Sequence, residues 1–355
     1  MLVELEEQLQ LDALLTAIES LLQQDLPDFS IRNLFSELLQ GSLKLDIVTL
    51  LEQIGQLVWG DITVQLSFIG KLILLAIMAA LLRQMENSFS DGSIQKVSGL
   101  MLQSVAILLL LESGSAVLAY GQQAVLRLAE VMQALLPVQL LLMTGLGNVQ
   151  TAGLLKPSLL LIVQVAVWFY KTVLLPVITM EFVLKLINSF SDICRMQRLA
   201  ALLRKIILTV IAFSTMLFLA VLSIQGISGH IMDSLSVRTV KYMAGNLIPV
   251  VGGTISGLFD TFMSGALMIR SAVGFVGLLA VLLLTMIPAV KLLLLYFMYN
   301  LTAAVLQPVG DDRITVLLEQ TADTFMLLFA VVALTGVFFF FMILIVLAAS
   351  GAVFH

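Results

Sequence analysis

Phe325-Met-Leu-Leu-Phe-Ala-Val-Val-Ala-Leu-Thr-Gly-Val-Phe-Phe-Phe-Phe-Met-Ile-Leu-Ile-Val-Leu-Ala-Ala349 is a run of 25 residues without one charged side chain. A helix of about 20 apolar residues crosses the roughly 30 Å hydrocarbon core of a bilayer. Lipid offers no partner to backbone N–H and C=O groups, so a spanning segment must close its own hydrogen bonds, as a helix does. The stretch therefore reads as a membrane-spanning helix, and it sets the reading of everything before it.

Five more stretches upstream have the same character. They are Ile62–Leu82 with Lys71 inside it, Gly99–Tyr120 with Glu112, Ser158–Met180 with Lys171 and Pro176, the uncharged Ile206–Gln225, and Ala272–Val290, which ends at Pro288 and Lys291. Val125–Leu146, Leu247–Met268 and Leu292–Leu306 are apolar but short, or interrupted by Gly and Pro. Each fits a re-entrant hairpin, an interfacial helix or a true span. The reading is an all-α, polytopic integral membrane helical bundle with about six to eight hydrophobic segments over residues 61–355, in a multi-pass cell-membrane protein.

Composition agrees. The 355 residues are 60% hydrophobic and 12% charged, against about 45–50% and about 25% in soluble domains. A soluble globule would lack the polar side chains to cover itself. Cys194 stands alone, so there is no internal disulfide and no Cys cluster for a metal. His230 and His355 are the two histidines, too few for a His-rich metal site. No nucleophile–base set and no Walker A pattern occur. Gly145-Leu-Gly147 opens like a phosphate loop, but position 150 is Gln, which breaks the fingerprint. The reading carries no catalytic residues, cofactor or metal.

Residues 1–60 form an acidic head, with ten acids against Arg32 and Lys44; the rest carries 13 acids and 16 bases, with no basic stripe for nucleic acid. Leu2, Leu5, Leu9, Leu14, Ile18 and Leu21 recur mostly at three- and four-residue steps, the mark of an amphipathic helix. Pro27 breaks it, Asp28 or Ser30 caps a second helix through Leu39, and Gly41 ends that helix. A third pattern runs from Leu43 to Val58. Met1 to Gln10 has neither the basic region nor the apolar core of a secretory signal. Either there is none, or the chain is the form left after cleavage.

Residues 182–205 carry Lys185, Arg195, Arg198, Arg204 and Lys205 against Asp192. Basic loops stay on the cytoplasmic side. Counting back through three spans places the head, and the N-terminus, outside the cytoplasm. Counting forward, the C-terminus is expected inside if Leu292–Leu306 spans.

Pro137 and Pro176 lie 39 residues apart, as do Pro249 and Pro288, so a shift of 112 aligns both pairs. The same shift lays Gly145 on Gly257, Gly153 on Gly265 and Asn188 on Asn300. An internal repeat is expected, with 97–190 equivalent to 209–302. The plain alternative is that the prolines mark membrane boundaries independently. Gly/Pro-interrupted segments at matching places in a repeat are a mark of transporters.

The most informative motif is Gly245-Asn246-Leu-Ile-Pro249-Val-Val-Gly252-Gly253-Thr-Ile-Ser-Gly257. Proline interrupts a helix and glycine lets backbones approach closely. Two readings stay open, a gate or pore element and a tight turn packing two helices. Asp260 would mark its wet end, and Gly145 and Gly147 would lie in the matching segment around Pro137. Lys71, Glu112, Lys171 and Lys291 are candidate intramembrane charges, each costing roughly 2.5–3.5 kcal/mol at the centre of a span. Glu112 is expected to pair with Lys71 or Lys171, Lys291 to snorkel, and Arg127 to pair locally with Glu130.

Val240-Lys-Tyr-Met-Ala-Gly-Asn-Leu-Ile-Pro-Val-Val-Gly-Gly253, Phe259-Asp260-Thr261, Ser271-Ala-Val-Gly-Phe-Val-Gly277 and Asn188-Ser-Phe-Ser-Asp192-Ile-Cys-Arg195 together resemble the stage III sporulation protein AE family over roughly 62–350. The resemblance implies a membrane subunit of the secretion-like channel complex between mother cell and forespore in endospore formers. It implies a place in the mother-cell membrane facing the forespore. Implied partners are the other stage III A proteins, including a secretion-type ATPase and ring-forming membrane proteins, besides the bilayer and further copies of this chain. The competing reading is a stand-alone secondary transporter or exporter permease, supported by the repeat, the broken segments and the charges Glu112 and Lys171. An intramembrane enzyme lacks a catalytic set.

Overall fold

The computed structural model describes residues 11–42, 47–86, 92–145, 149–190, 196–225, 252–309 and 312–348. All elements among them are helical. Two short helices come first, α1 (Leu11–Leu22) and α2 (Ile31–Gln40). Long ones follow: α3 (Ile47–Glu86), α4 (Gly92–Gly145), α5 (Val149–Phe169), a π turn (Tyr170–Leu174), α6 (Leu175–Phe190), α7 (Gln197–Gln225), α8 (Gly252–Leu306) and α9 (Asp312–Ala348). The all-α membrane bundle read from the sequence is what the chain forms.

The head ends its second helix as the sequence predicts. Ser30 is the N-cap and accepts from the backbone N–H of Asn33 at 3.4 Å. Gly41 takes the left-handed conformation at φ 69°, and Ser42 N–H closes on Glu37 C=O at 3.0 Å. The third pattern of the head is not a separate helix: from Ile47 it runs unbroken into the first apolar stretch as α3.

Hydropathy stretches merge in the same way elsewhere. Gly99–Tyr120 and all of Val125–Leu146 but its last residue fall in α4, a helix of 54 residues, and Ala272–Val290 and Leu292–Leu306 fall in α8, of 55. At 1.5 Å per residue each is about 80 Å long, far more than one bilayer core. Hydropathy dips at Gln122-Gln123 and again at Lys291, but neither place breaks backbone hydrogen bonding. Polarity alone does not end a helix. Among the described residues, five helical stretches are long and apolar enough to cross a membrane: Gly99–Thr144, Leu159–Ser189, Gln197–Leu217, Ser264–Leu306 and Arg313–Leu347, with a shorter apolar piece at Gln65–Met78.

Two apolar clusters mark the two ends of the bundle. One joins head residues Leu11, Ile18, Ile31 and Phe35 to Leu135 of α4, Ile287 of α8 and Phe339 of α9. The other joins Ile107 of α4, Leu186 of α6, Ile207 of α7 and Ile314 of α9. The head thus sits at the end opposite the close of α6 and the start of α7. Phe338 to Leu347 belong to the head's cluster, so α9 finishes at that end. Leu292–Leu306 extends α8 instead of making a crossing of its own, so the condition for a C-terminus inside is not met.

Small residues set the tightest crossings. A side chain at Gly277 of α8 would run into Leu135 of α4, and one at Gly336 of α9 would overlap Thr285 of α8. Packing of this kind holds membrane helices together where lipid removes any hydrophobic drive between them.

Candidate functional site

Pro137 and Pro288 lie inside α4 and α8. Each lacks an N–H, so the carbonyl four residues earlier, on Gln133 or Leu284, loses its helical donor. Pro137 is exposed, whereas Pro288 is buried. Pro176 is the second residue of α6, directly after the π turn. The π turn just before it shifts the bonding so that Leu175 N–H reaches Tyr170 C=O. Under the 112-residue shift these surroundings differ, since Pro176 follows a π turn and Pro288 lies in regular helix.

Gly252, Gly253 and Gly257 open α8, with Asp260 in its third turn, and Gly145 is the last residue of α4. Gly147, Gly245, Asn246 and Pro249 fall outside the described residues. At the first turn of a helix a glycine pair interrupts little, so this half of the motif reads as the start of α8.

Lys71, Glu112 and Lys171 are exposed, and none of their side chains meets an opposite charge among the described residues. The expected pairing of Glu112 with a lysine is not formed there. Lys291 sits with its ammonium 5.3 Å from the centroid of the Tyr120 ring, a cation–π contact that shelters a cation at the edge of an apolar span. Arg127 departs from the local pairing too. Its Nη1 meets Asp25 Oδ2 at 2.7 Å, joining head to bundle, because Asp25 is nearly enclosed while Glu130 points outward.

That pair opens onto a polar pocket lined by Asp25, Tyr120, Gln123, Arg127, Leu284 and Pro288. Pro288, singled out by the sequence, thus frees the Leu284 carbonyl beside a salt bridge and an amide. Arg127→Ala should weaken head docking by about 1.5–3 kcal/mol, the worth of a charge-assisted hydrogen bond. Limited proteolysis checks this: the head should be digested faster while the bundle survives. An unchanged digestion rate would show that apolar contact alone seats the head.

The strongest charged constellation is one the sequence reading missed. Glu181 of α6 is fully buried, and its Oε1 lies 2.5 Å from Lys185 Nζ, one turn along. Thr324 of α9 donates to Glu181 Oε2 at 3.3 Å. Asp323, beside Thr324, pairs with Arg204 of α7. Below this layer Gln103 of α4 donates to Ser189 C=O, and Arg313 of α9 reaches Gln103 Oε1 at 3.4 Å. Ser113 and Tyr299 share a 2.6 Å hydrogen bond between α4 and α8. The signal was present as the Glu-x-x-x-Lys spacing of 181 and 185. It was lost by assigning Lys185 and Arg204 to a loop, when both lie in helices.

Arg270 of α8 is also buried, and its Nη2 donates to Val346 C=O at 2.6 Å. Val346 lies in the last turn of α9, whose free carbonyls carry the negative end of the helix dipole. A guanidinium there caps the helix from its neighbour. Together these residues give a buried ion pair within α6, a partly exposed pair between α7 and α9, and polar hydrogen bonds between helices.

Comparison with known proteins gives this site a context. The family model for stage III sporulation protein AE matches residues 29–350. Over 273 residues the chain is 29% identical to "Stage III sporulation protein AE" of Bacillus subtilis (strain 168), covering 77% of this chain and 68% of that one. No solved structure matches. The family model takes in part of the head and all of the membrane helices, and so the chain belongs to the stage III sporulation protein AE family.

Proposed function

We propose that the chain is a non-enzymatic membrane subunit of the secretion-like channel complex between mother cell and forespore. Family membership carries this reading, since it gives the chain a role in sporulation. The physical form fits a membrane subunit: five membrane-length apolar helices and an amphipathic head docked at one end of the bundle. Its partners would be the other stage III A proteins, with the secretion-type ATPase supplying the energy. The chain would sit in the mother-cell membrane with its head in the gap facing the forespore.

Deleting the gene in a sporulating host tests the reading. Development should stop after engulfment, and the parent gene should restore it. Normal spores from the deletion strain would contradict it. The charged layer of buried Glu181 and Lys185 with partly exposed Asp323 and Arg204 favours a second reading, a transporter working alone. Transport by the purified chain in vesicles without partners would support that alternative.

A further inference from the structure

Two charges in the apolar helices find no answer within the chain. Lys71 is the single charge in Ile62–Leu82, and Glu112 is the single charge in Gly99–Tyr120. Both side chains are exposed, and neither meets an opposite charge among the described residues. Each belongs to an uncovered apolar stripe. On α3 the stripe is Lys71, Leu74, Met78 and Leu81; on α4 it is Met101, Val105, Leu108 and Glu112. Steps of three and four residues keep each stripe on one helix face. Lipid covers leucine and methionine well, but its tails offer a charge no partner. A lysine can stretch its long stem toward the headgroups. A glutamate in the middle of an apolar stretch is too short for that.

The two charges also match in level along the bundle. α3 runs from Ile54 in the head's cluster to Leu72 in the other, and α4 returns from Ile107 to Leu135. The helices pack side by side, with Leu72 and Ala76 in the same cluster as Ala106 and Leu110. Lys71 stands 15 residues before the end of α3, and Glu112 stands 20 residues after the start of α4. At 1.5 Å per residue their levels differ by about 8 Å, a gap that two flexible side chains close. Lys171 fails on this count. Gly114 of α4 faces Phe182 of α6. Lys171 lies 11 residues from Phe182 toward the head, and Glu112 lies two from Gly114 the other way, a separation of about 20 Å.

We propose that the exposed stripes of α3 and α4 form the contact between two copies of this chain, with Lys71 of one copy paired to Glu112 of the other. Rotational symmetry about an axis along the bundle keeps every residue at its own level. Charges that match in level within one chain therefore match between copies. Charge complementarity selects the occupant. A lipid tail answers neither charge, whereas a second copy answers both with residues already on the face. The pair is then a charge-assisted hydrogen bond flanked by leucine and methionine, sheltered from competing water. Gly70, beside Lys71, has open space where a side chain would stand, which gives a neighbouring helix room to come close.

The test uses the full-length chain in a Cys194→Ser background. Two differently tagged copies are expressed in one membrane, one with Lys71→Cys and the other with Glu112→Cys. Mild oxidation should join them into a species of twice the mass that carries both tags, and Glu112→Cys with Lys171→Cys should give none. A disulfide that forms only when both cysteines stand on one copy would mean that the pair closes within a chain, and overturns the proposal. Charge reversal is read by energy transfer between purified chains labelled at Ser20→Cys in lipid vesicles. Transfer should be lost in Lys71→Glu and in Glu112→Lys, where like charges face each other, and should return when both reversals are combined. Both positions are exposed, so the changes leave the core untouched. The absence of transfer in the parent chain, as when lipid or a different protein covers the face, overturns the proposal, and so does transfer that survives the single reversals.

Discussion

Lys185→Leu should destabilise the bundle by about 3–5 kcal/mol at neutral pH, the usual cost of stranding one partner of a buried ion pair. The lysine sits 8% exposed and its partner Glu181 not at all. Leucine fills much of the space but leaves the carboxylate with one 3.3 Å bond from Thr324. The double variant Glu181→Leu/Lys185→Leu should recover most of the loss, because two apolar side chains replace two desolvated charges. Reversible unfolding in mixed micelles checks both. Equal damage from single and double variants would show that the pair contributes shape, not charge balance.

Gly336→Val should be the most damaging change in the apolar core. The site faces Thr285, whose short β-branched side chain is tied back to Val281 C=O at 2.6 Å. A new Cβ there meets Thr285 Cβ at 2.6 Å, so the helices themselves must separate. Overpacking typically costs about 1–3 kcal/mol and sometimes more, and a stiff neighbour puts this site at the upper end. At Gly277 the clash is with the far end of Leu135, a flexible side chain, and the loss should be smaller. Thermal unfolding should rank the two variants in that order. A larger loss at Gly277 would mean that α4 and α8, not α8 and α9, form the tightest crossing.

The membrane class was legible at once, because a 25-residue uncharged run admits few alternatives. The second head helix was also legible, since Ser30 and Gly41 act through local backbone geometry. Helix lengths were not. Hydropathy reports where lipid contacts end, whereas α4 and α8 continue past Gln123 and Pro288 on backbone hydrogen bonding that hydropathy does not see.

The charged site was half legible for a related reason. Lys71, Glu112 and Lys171 stood out as charges within apolar runs, yet these are exposed. Glu181, Lys185, Arg204 and Asp323 lie at the edges of such runs, and the sequence reading placed Lys185 and Arg204 in a loop. Only the contact of α6, α7 and α9 brings them together. Pro288 was found for its helix-breaking chemistry, but its place beside Asp25 and Arg127 depends on the head folding back, a long-range contact with no local sequence signal.

The central proposal is that the bundle spans the membrane with the head at its outer end and the basic α6–α7 connection in the cytoplasm. Single cysteines at Ser20 and Gln197, introduced into a Cys194→Ser chain, test it most directly with a membrane-impermeant thiol reagent on intact cells. Both positions are exposed, so labelling depends on the side of the membrane alone. The account predicts that Ser20→Cys is labelled and that Gln197→Cys is labelled only after the cells are opened. Labelling of Gln197→Cys on intact cells with Ser20→Cys protected would contradict it.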